Sequence, residues 1–99
     1  MTKIVLVCNA GISNTILLKH MQEEVENKEG NFEITSSSIS EVDSKILNAD
    51  VVLLSPQVAF ERESIAKKVS VPVEVVSTEA YANLDALAIV EYAIKLAKK

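Results

Sequence analysis

The one cysteine of the chain, Cys8, closes an apolar run, Ile4-Val5-Leu6-Val7, and is followed at once by Asn9-Ala10-Gly11. A thiol at the end of a strand, with a glycine turn and a helix starting near Ser13, is placed for anion chemistry. The backbone N–H groups of Ala10, Gly11, Ile12, Ser13, Asn14 and Thr15 can converge on one point. The helix N-terminus adds a partial positive charge there. The same field lowers a cysteine pKa and favours the thiolate. Ser13 and Thr15 add hydroxyl donors, so a doubly charged phosphoryl group on the sulfur would sit in a neutral cradle. The competing reading is that a cysteine ending a buried strand is simply a small core residue. Cys-x-x-Gly-x-Ser does not by itself decide between them.

Composition narrows the classes. The chain has 99 residues, read as one domain over 1–99, with 48% hydrophobic and only 4% aromatic residues. Such a core is filled by Val, Ile, Leu and Ala, the mix of parallel strands covered by helices. A net charge of −4 argues against attraction to nucleic acid or anionic lipid. A lone cysteine leaves no internal disulfide and no metal site built on paired cysteines; neither metal nor cofactor is expected. With no secretory signal, it suggests a reducing cytoplasm. The apolar runs 4–8 and 51–54 are too short to cross a bilayer, so direct membrane insertion is not expected.

The elements that must hold Cys8 follow from apolar patterning. Residues 4–8 and Val51-Val52-Leu53-Leu54 are continuous apolar runs, the mark of strands buried on both faces. Phe32-Glu33-Ile34-Thr35 alternates, as expected of a half-exposed edge strand. The fourth strand, 71–76, contains Pro72 and Glu74, which also place it at an edge. Between them, Leu17 or Leu18, Met21 and Val25 form one helix face, closed by residues 27–30. A short helix is expected at about 40–47, with Ser40 and Asp43 close to a capping box. A further helix is expected over 58–69, with Val58, Ile65 and Val69 inward. From Asn83 onward Ala86, Ile89, Val90, Ala93, Ile94 and Ala97 recur at helical spacing. Alternating strands and helices predict an α/β fold: one three-layer domain, a four-stranded parallel sheet in the order 2-1-3-4, and helices on both faces. The topological switch then falls between strands one and three, where ligands bind beyond the carboxyl ends of the strands. The loops meeting there are residues 8–15 and 55–57.

Cys8-Asn9-Ala10-Gly11-Ile12-Ser13-Asn14-Thr15 resembles the active-site loop of the EIIB components of the lactose/chitobiose (cellobiose) family of the sugar phosphotransferase system. Members typically read Cys-Ser/Asn-Ala-Gly-Met-Ser-Thr-Ser there. The resemblance extends over the whole chain, including residues 48–57 at strand three and Pro72-Val73-Glu74-Val75-Val76 at strand four. The family usually has Gly-Pro-Gln where this chain has Ser55-Pro56-Gln57, and Ile12, Asn14 and Thr15 depart from the commonest residues. The resemblance implies that Cys8 receives a phosphoryl group from a phosphohistidine of an EIIA protein. It then passes the group to a sugar, a β-linked disaccharide such as cellobiose, chitobiose or lactose, entering through a membrane EIIC transporter. It implies phosphate binding by the loop of Asn9, Ala10, Gly11, Ile12, Ser13, Asn14 and Thr15, and places Pro56 and Gln57 on the facing loop. Tyr81, in the connection after strand four, is close enough to the same rim to touch phosphate, and packing of its ring beneath a loop is the equal alternative.

The nearest rival is a low-molecular-weight tyrosine phosphatase, whose fold this domain resembles and whose loop cysteine also attacks phosphate. That family's signature is Cys, five residues, Arg, then Ser or Thr. Here the arginine position is Asn14, and Pro56 follows Ser55 where the phosphatase has an aspartic general acid. Without a bidentate guanidinium and a proton donor, a phosphocysteine should persist, which suits a relay and disables a hydrolase. A non-catalytic regulatory domain of the same fold is the other alternative. His20 reads as a solvated residue on helix one and Asp85 as a helix cap. Lys67 and Lys68 favour a helix dipole, and Ser36, Ser37 and Ser38 fit a polar edge strand. Ile12, Val58 and Phe60 are apolar candidates for partner docking by position alone.

Overall fold

The computed structural model describes residues 2–8, 12–28 and 30–98, and leaves the side chains of residues 12–15 undescribed. Four strands, β1 (Thr2–Val7), β2 (Phe32–Ser37), β3 (Val51–Leu54) and β4 (Val73–Val75), form one sheet in the order β2-β1-β3-β4. Every neighbouring pair is parallel, with Ile4 opposite Ile34 on one side and Val51 on the other. Helix α1 (Ile12–Glu26) connects β1 to β2, and the short α2 (Val42–Lys45) leads to β3. Helix α3 (Arg62–Ala66) leads to β4, and α4 (Thr78–Ala82) and α5 (Ala86–Ala97) end the fold. The expected strand order and layering are therefore found.

Alternation along the strands divides the interior in two. Ile4, Leu6, Val51 and Leu53 pack with Leu17, Met21 and Val25 of α1 and Ile89, Val90 and Ala93 of α5. Val5, Val7, Val52, Leu54 and Val73 pack with Val42, Ile46 and Ile65 on the opposite face. The central strands are buried on both sides, which is why their sequences are unbroken apolar runs. Gly30 turns the chain from α1 into β2 with φ 105°, a left-handed conformation that costs glycine nothing. At the edge of β4, Glu74 takes up an ion pair with Arg62 at 3.4 Å.

Two helical expectations are corrected. Residues 40–47 give only a 3-10 turn, Ile39–Glu41, and the four residues of α2, with no side-chain cap. The Ser38 hydroxyl instead meets Ser40 Oγ at 3.0 Å and donates to Glu41 Oε1 at 3.2 Å. Asp43 pairs with Lys68 at 2.6 Å, joining the end of α3 to α2, so Lys68 has a partner beyond the helix dipole. Residues 58–69 do not form one helix: a 3-10 segment, Pro56–Glu61, precedes α3, and Val58 is non-helical at φ −116°, ψ 22°. Val58 is buried in the α2/α3 side of the core, and its backbone follows that packing. The last helix starts at Ala86 as its spacing implies; the short α4 ahead of it, ended by Asn83, was not expected, and Leu84 takes φ 51° between the two.

Asp85 caps α5 as expected, accepting from the Ala88 N–H at 3.2 Å. Asp85→Ala should cost about 1 kcal/mol through this lost cap. A urea midpoint unchanged in that variant would show that the cap contributes nothing.

Candidate functional site

The end of the sheet, not a loop of special composition, positions the candidate nucleophile. Cys8 continues β1, its N–H donating to Ser37 O at 3.0 Å, and it is buried. On the other side Ser55 continues β3, its N–H donating to Val7 O at 2.9 Å. Cys8 and Ser55 thus extend the parallel register one step past Val7 and Leu54. They follow Leu6 and Leu53 on the face that carries α1 and α5. Helix α1 begins four residues after the cysteine, at Ile12.

Burial pushes the Cys8 thiol above its ordinary pKa. This is opposite to the depression expected from the helix N-terminus; the amides of Asn9, Ala10 and Gly11, which would oppose it, lie outside the described residues. Burial thus favours the protonated thiol over the thiolate. Alkylation by iodoacetamide should be slower at pH 7 than in an unstructured cysteine peptide and should climb with pH past the ordinary thiol range. The linked stability has a definite sign. The folded chain holds the proton more tightly, so this contribution is complete below the unfolded pKa of about 8.5 and falls as pH rises above it. Alkylation at pH 7 faster than the peptide would show that the loop amides outweigh burial.

Of the other expected site residues, Pro56 opens the 3-10 segment and is half-buried, while Gln57 is exposed. Tyr81 lies on α4, half-buried against the α1/α5 side of the core. With Thr78, Ala82 and Leu84 these three line one depression of about 450 Å³ beyond β3 and β4. Asn9, Ala10 and Gly11 lie outside the described residues, as do the side chains of Ile12, Ser13, Asn14 and Thr15. Val58 is core, whereas Phe60 is 77% exposed. His20 is exposed, and Ser37 is buried with its hydroxyl donating to Ser38 O at 2.8 Å. Patterning did not single out Ser55 Oγ, which is buried and makes no hydrogen bond among the described residues. The described residues contain no cluster of His, Cys, Asp and Glu able to hold a metal ion, and no helix long and apolar enough to cross a membrane.

Residues 3–91 match the family model described as the PTS system, lactose/cellobiose specific IIB subunit. The chain belongs to this family. A cellobiose-specific EIIB component of Lactococcus lactis subsp. lactis is 34% identical over 86 residues, covering 79% of this chain and 80% of that one. A galactose-specific EIIB component of Lactococcus lactis subsp. cremoris has the same identity and coverage. The solution structure of a cellobiose-specific IIB component from Borrelia burgdorferi superposes with a TM-score of 0.79 at 25% identity, covering 98% of this chain and 92% of that one. As a IIB chain, this protein is a phosphotransfer subunit of a sugar phosphotransferase system, a class that works with EIIA and EIIC partners. These two relatives, equal in identity and coverage, carry different sugar names.

Proposed function

We propose that Cys8 is the phosphoryl carrier of this IIB chain. Its sulfur attacks the phosphorus of an EIIA phosphohistidine; the N–P bond breaks as the S–P bond forms, and the thiol proton ends on the released imidazole. In the second step a sugar hydroxyl attacks the phosphorus, the S–P bond breaks, and the hydroxyl proton returns to the thiolate. The acceptor is a β-linked disaccharide of the cellobiose, chitobiose or lactose kind, presented by membrane EIIC, with the IIB unit of residues 1–99 acting in the cytoplasm. The amides of residues 9–15 hold the phosphoryl oxygens, and Pro56, Gln57 and Tyr81 form the facing rim. No cofactor takes part.

The observation that carries this reading is the position of the chain's one thiol, at the carboxyl end of a central strand, beside the switch between β1 and β3 and four residues ahead of α1. A raised thiol pKa is compatible with it, because the leaving imidazole is itself a base that can take the proton. The phosphatase reading lacks an arginine at position 14 and an acid before Pro56.

The test is incubation with phosphoenolpyruvate, the general phosphotransferase proteins and a matching EIIA. One phosphoryl mass should be added at Cys8, with the acid–base lability of a thiophosphate. Label elsewhere would overturn the assignment, and rapid turnover of an aryl phosphate by the protein alone would restore the phosphatase.

A further inference from the structure

Alone among the described buried side-chain nitrogen and oxygen atoms, Ser55 Oγ makes no hydrogen bond. The residue is fully buried. An unmet hydroxyl in the interior is destabilising, and the rarity of such atoms in folded proteins asks for a reason. Its place supplies one. Ser55 retains an extended backbone, φ −67° and ψ 154°, one step beyond the last residue of β3. The β1/β3 pairing runs in register from Ile4 with Val51 to Val7 with Leu54, and its next step sets Cys8 beside Ser55. Both residues fall on the face toward α1. Adjacent strands are about 4.8 Å apart, so the hydroxyl stands roughly one strand spacing from the sulfur, without a hydrogen bond to it. An oxygen of a phosphoryl group on the sulfur would reach toward that hydroxyl across this spacing.

We propose that the Ser55 hydroxyl donates a hydrogen bond to a non-bridging oxygen of the phosphoryl group on Cys8, so that the atom left unpaired in the resting protein is satisfied only in the loaded one. This rests on the phosphocysteine reading. A donor aimed at a dianion forms a short, charge-assisted bond. It favours the fully ionised phosphoryl group and so lowers that group's second pKa. Because the serine forgoes a partner in the resting state, its contribution is made only to the intermediate.

The experiment uses the full chain with serine, Ser55→Ala and Ser55→Thr, each loaded from phosphoenolpyruvate through the general proteins and EIIA. The phosphocysteine is followed by phosphorus NMR across pH. In Ser55→Ala the phosphoryl titration should move up by about one unit, and the equilibrium constant for loading from phospho-EIIA should fall about tenfold, as for loss of a hydrogen bond to a charged group. Ser55→Thr, which keeps the hydroxyl, should titrate like the parent. Unloaded Ser55→Ala should melt a few degrees higher than the parent, because it removes an unpaired buried hydroxyl; a purely structural serine would give a lower melting temperature. Identical titration and loading in parent and Ser55→Ala would overturn the donor while leaving Cys8 as carrier. A lower melting temperature for unloaded Ser55→Ala would also overturn it, by showing the hydroxyl already bonded. If the parent itself takes no phosphate on Cys8, both this assignment and the relay fall together.

Discussion

Cys8→Ser is expected to abolish phosphoryl acceptance from EIIA while leaving a folded protein. The substitution replaces sulfur by an oxygen whose proton is far harder to remove and whose lone pairs are far less nucleophilic. No second thiol exists to take over, since Cys8 is the only cysteine. The structural cost is bounded. Cys8 is buried, so the new hydroxyl risks being unpaired, at about 1–3 kcal/mol, against a total stability of about 5–15 kcal/mol for a domain of ordinary stability. Its neighbour in register is Ser55, itself a buried serine without a hydrogen bond among the described residues, so the fold already tolerates one such hydroxyl at this place. Cys8→Ala, which inserts no polar atom, is the control for folding. Intact-protein mass after exposure to phospho-EIIA checks the first half of the prediction and urea unfolding the second. A phosphoryl group found on folded Cys8→Ser would show that transfer proceeds through another residue.

The position of this site was legible because it depends on burial more than on motif. Residues 4–7 and 51–54 carry no polar residue, so they had to be central; Phe32-Glu33-Ile34 alternates and Pro72 removes a ladder donor, so those strands had to be edges. That ordering alone puts the carboxyl end of β1 at the switch, and with it Cys8. Local helix geometry was less legible. Val58, Ile65 and Val69 have helical spacing, yet Val58 is buried from a non-helical backbone. Apolar spacing records which residues face inward, not the conformation that delivers them. Leu84 shows the same limit in another form: a positive φ was found without a glycine to announce it, although the cap that follows, Asp85, was readable.

The chemistry of the site divides along the same line. A helix following the cysteine is a property of chain order, and it was foreseen. The rise in thiol pKa comes from burial, which only the closed fold establishes. The unpaired hydroxyl of Ser55 needs the β1/β3 register, since a shift of one residue would turn it to the other face. In the sequence it was visible only as the serine that ends the apolar run 51–54. A residue of this kind at a strand end gains meaning once its neighbour across the sheet is known.

The sheet that creates this pairing should also be the most sensitive part of the fold. Leu53→Ala is expected to cost about 3 kcal/mol, a loss comparable with a large fraction of the domain's stability. Leu53 is fully buried on β3, opposite Leu6 in the register, and packs within the α1/α5 side of the core. Truncation there removes three carbons from a layer bounded by two helices and a sheet. Those elements close a cavity poorly, because each is held by its own backbone hydrogen bonds. For a domain of this size each kcal/mol corresponds to roughly 4–8 °C in Tm, so the variant should melt on the order of 12–24 °C lower. The urea m-value should be unchanged if only native packing is lost. Leu47→Ala provides the contrast: that side chain is 76% exposed, and its removal should stay within about 0.5 kcal/mol. Equal, small losses in both variants would mean that β3 is not the packed centre that holds Ser55 against Cys8. A large loss at Leu53, together with near-normal phosphoryl loading of the folded fraction at low temperature, would separate the scaffold from the chemistry it positions.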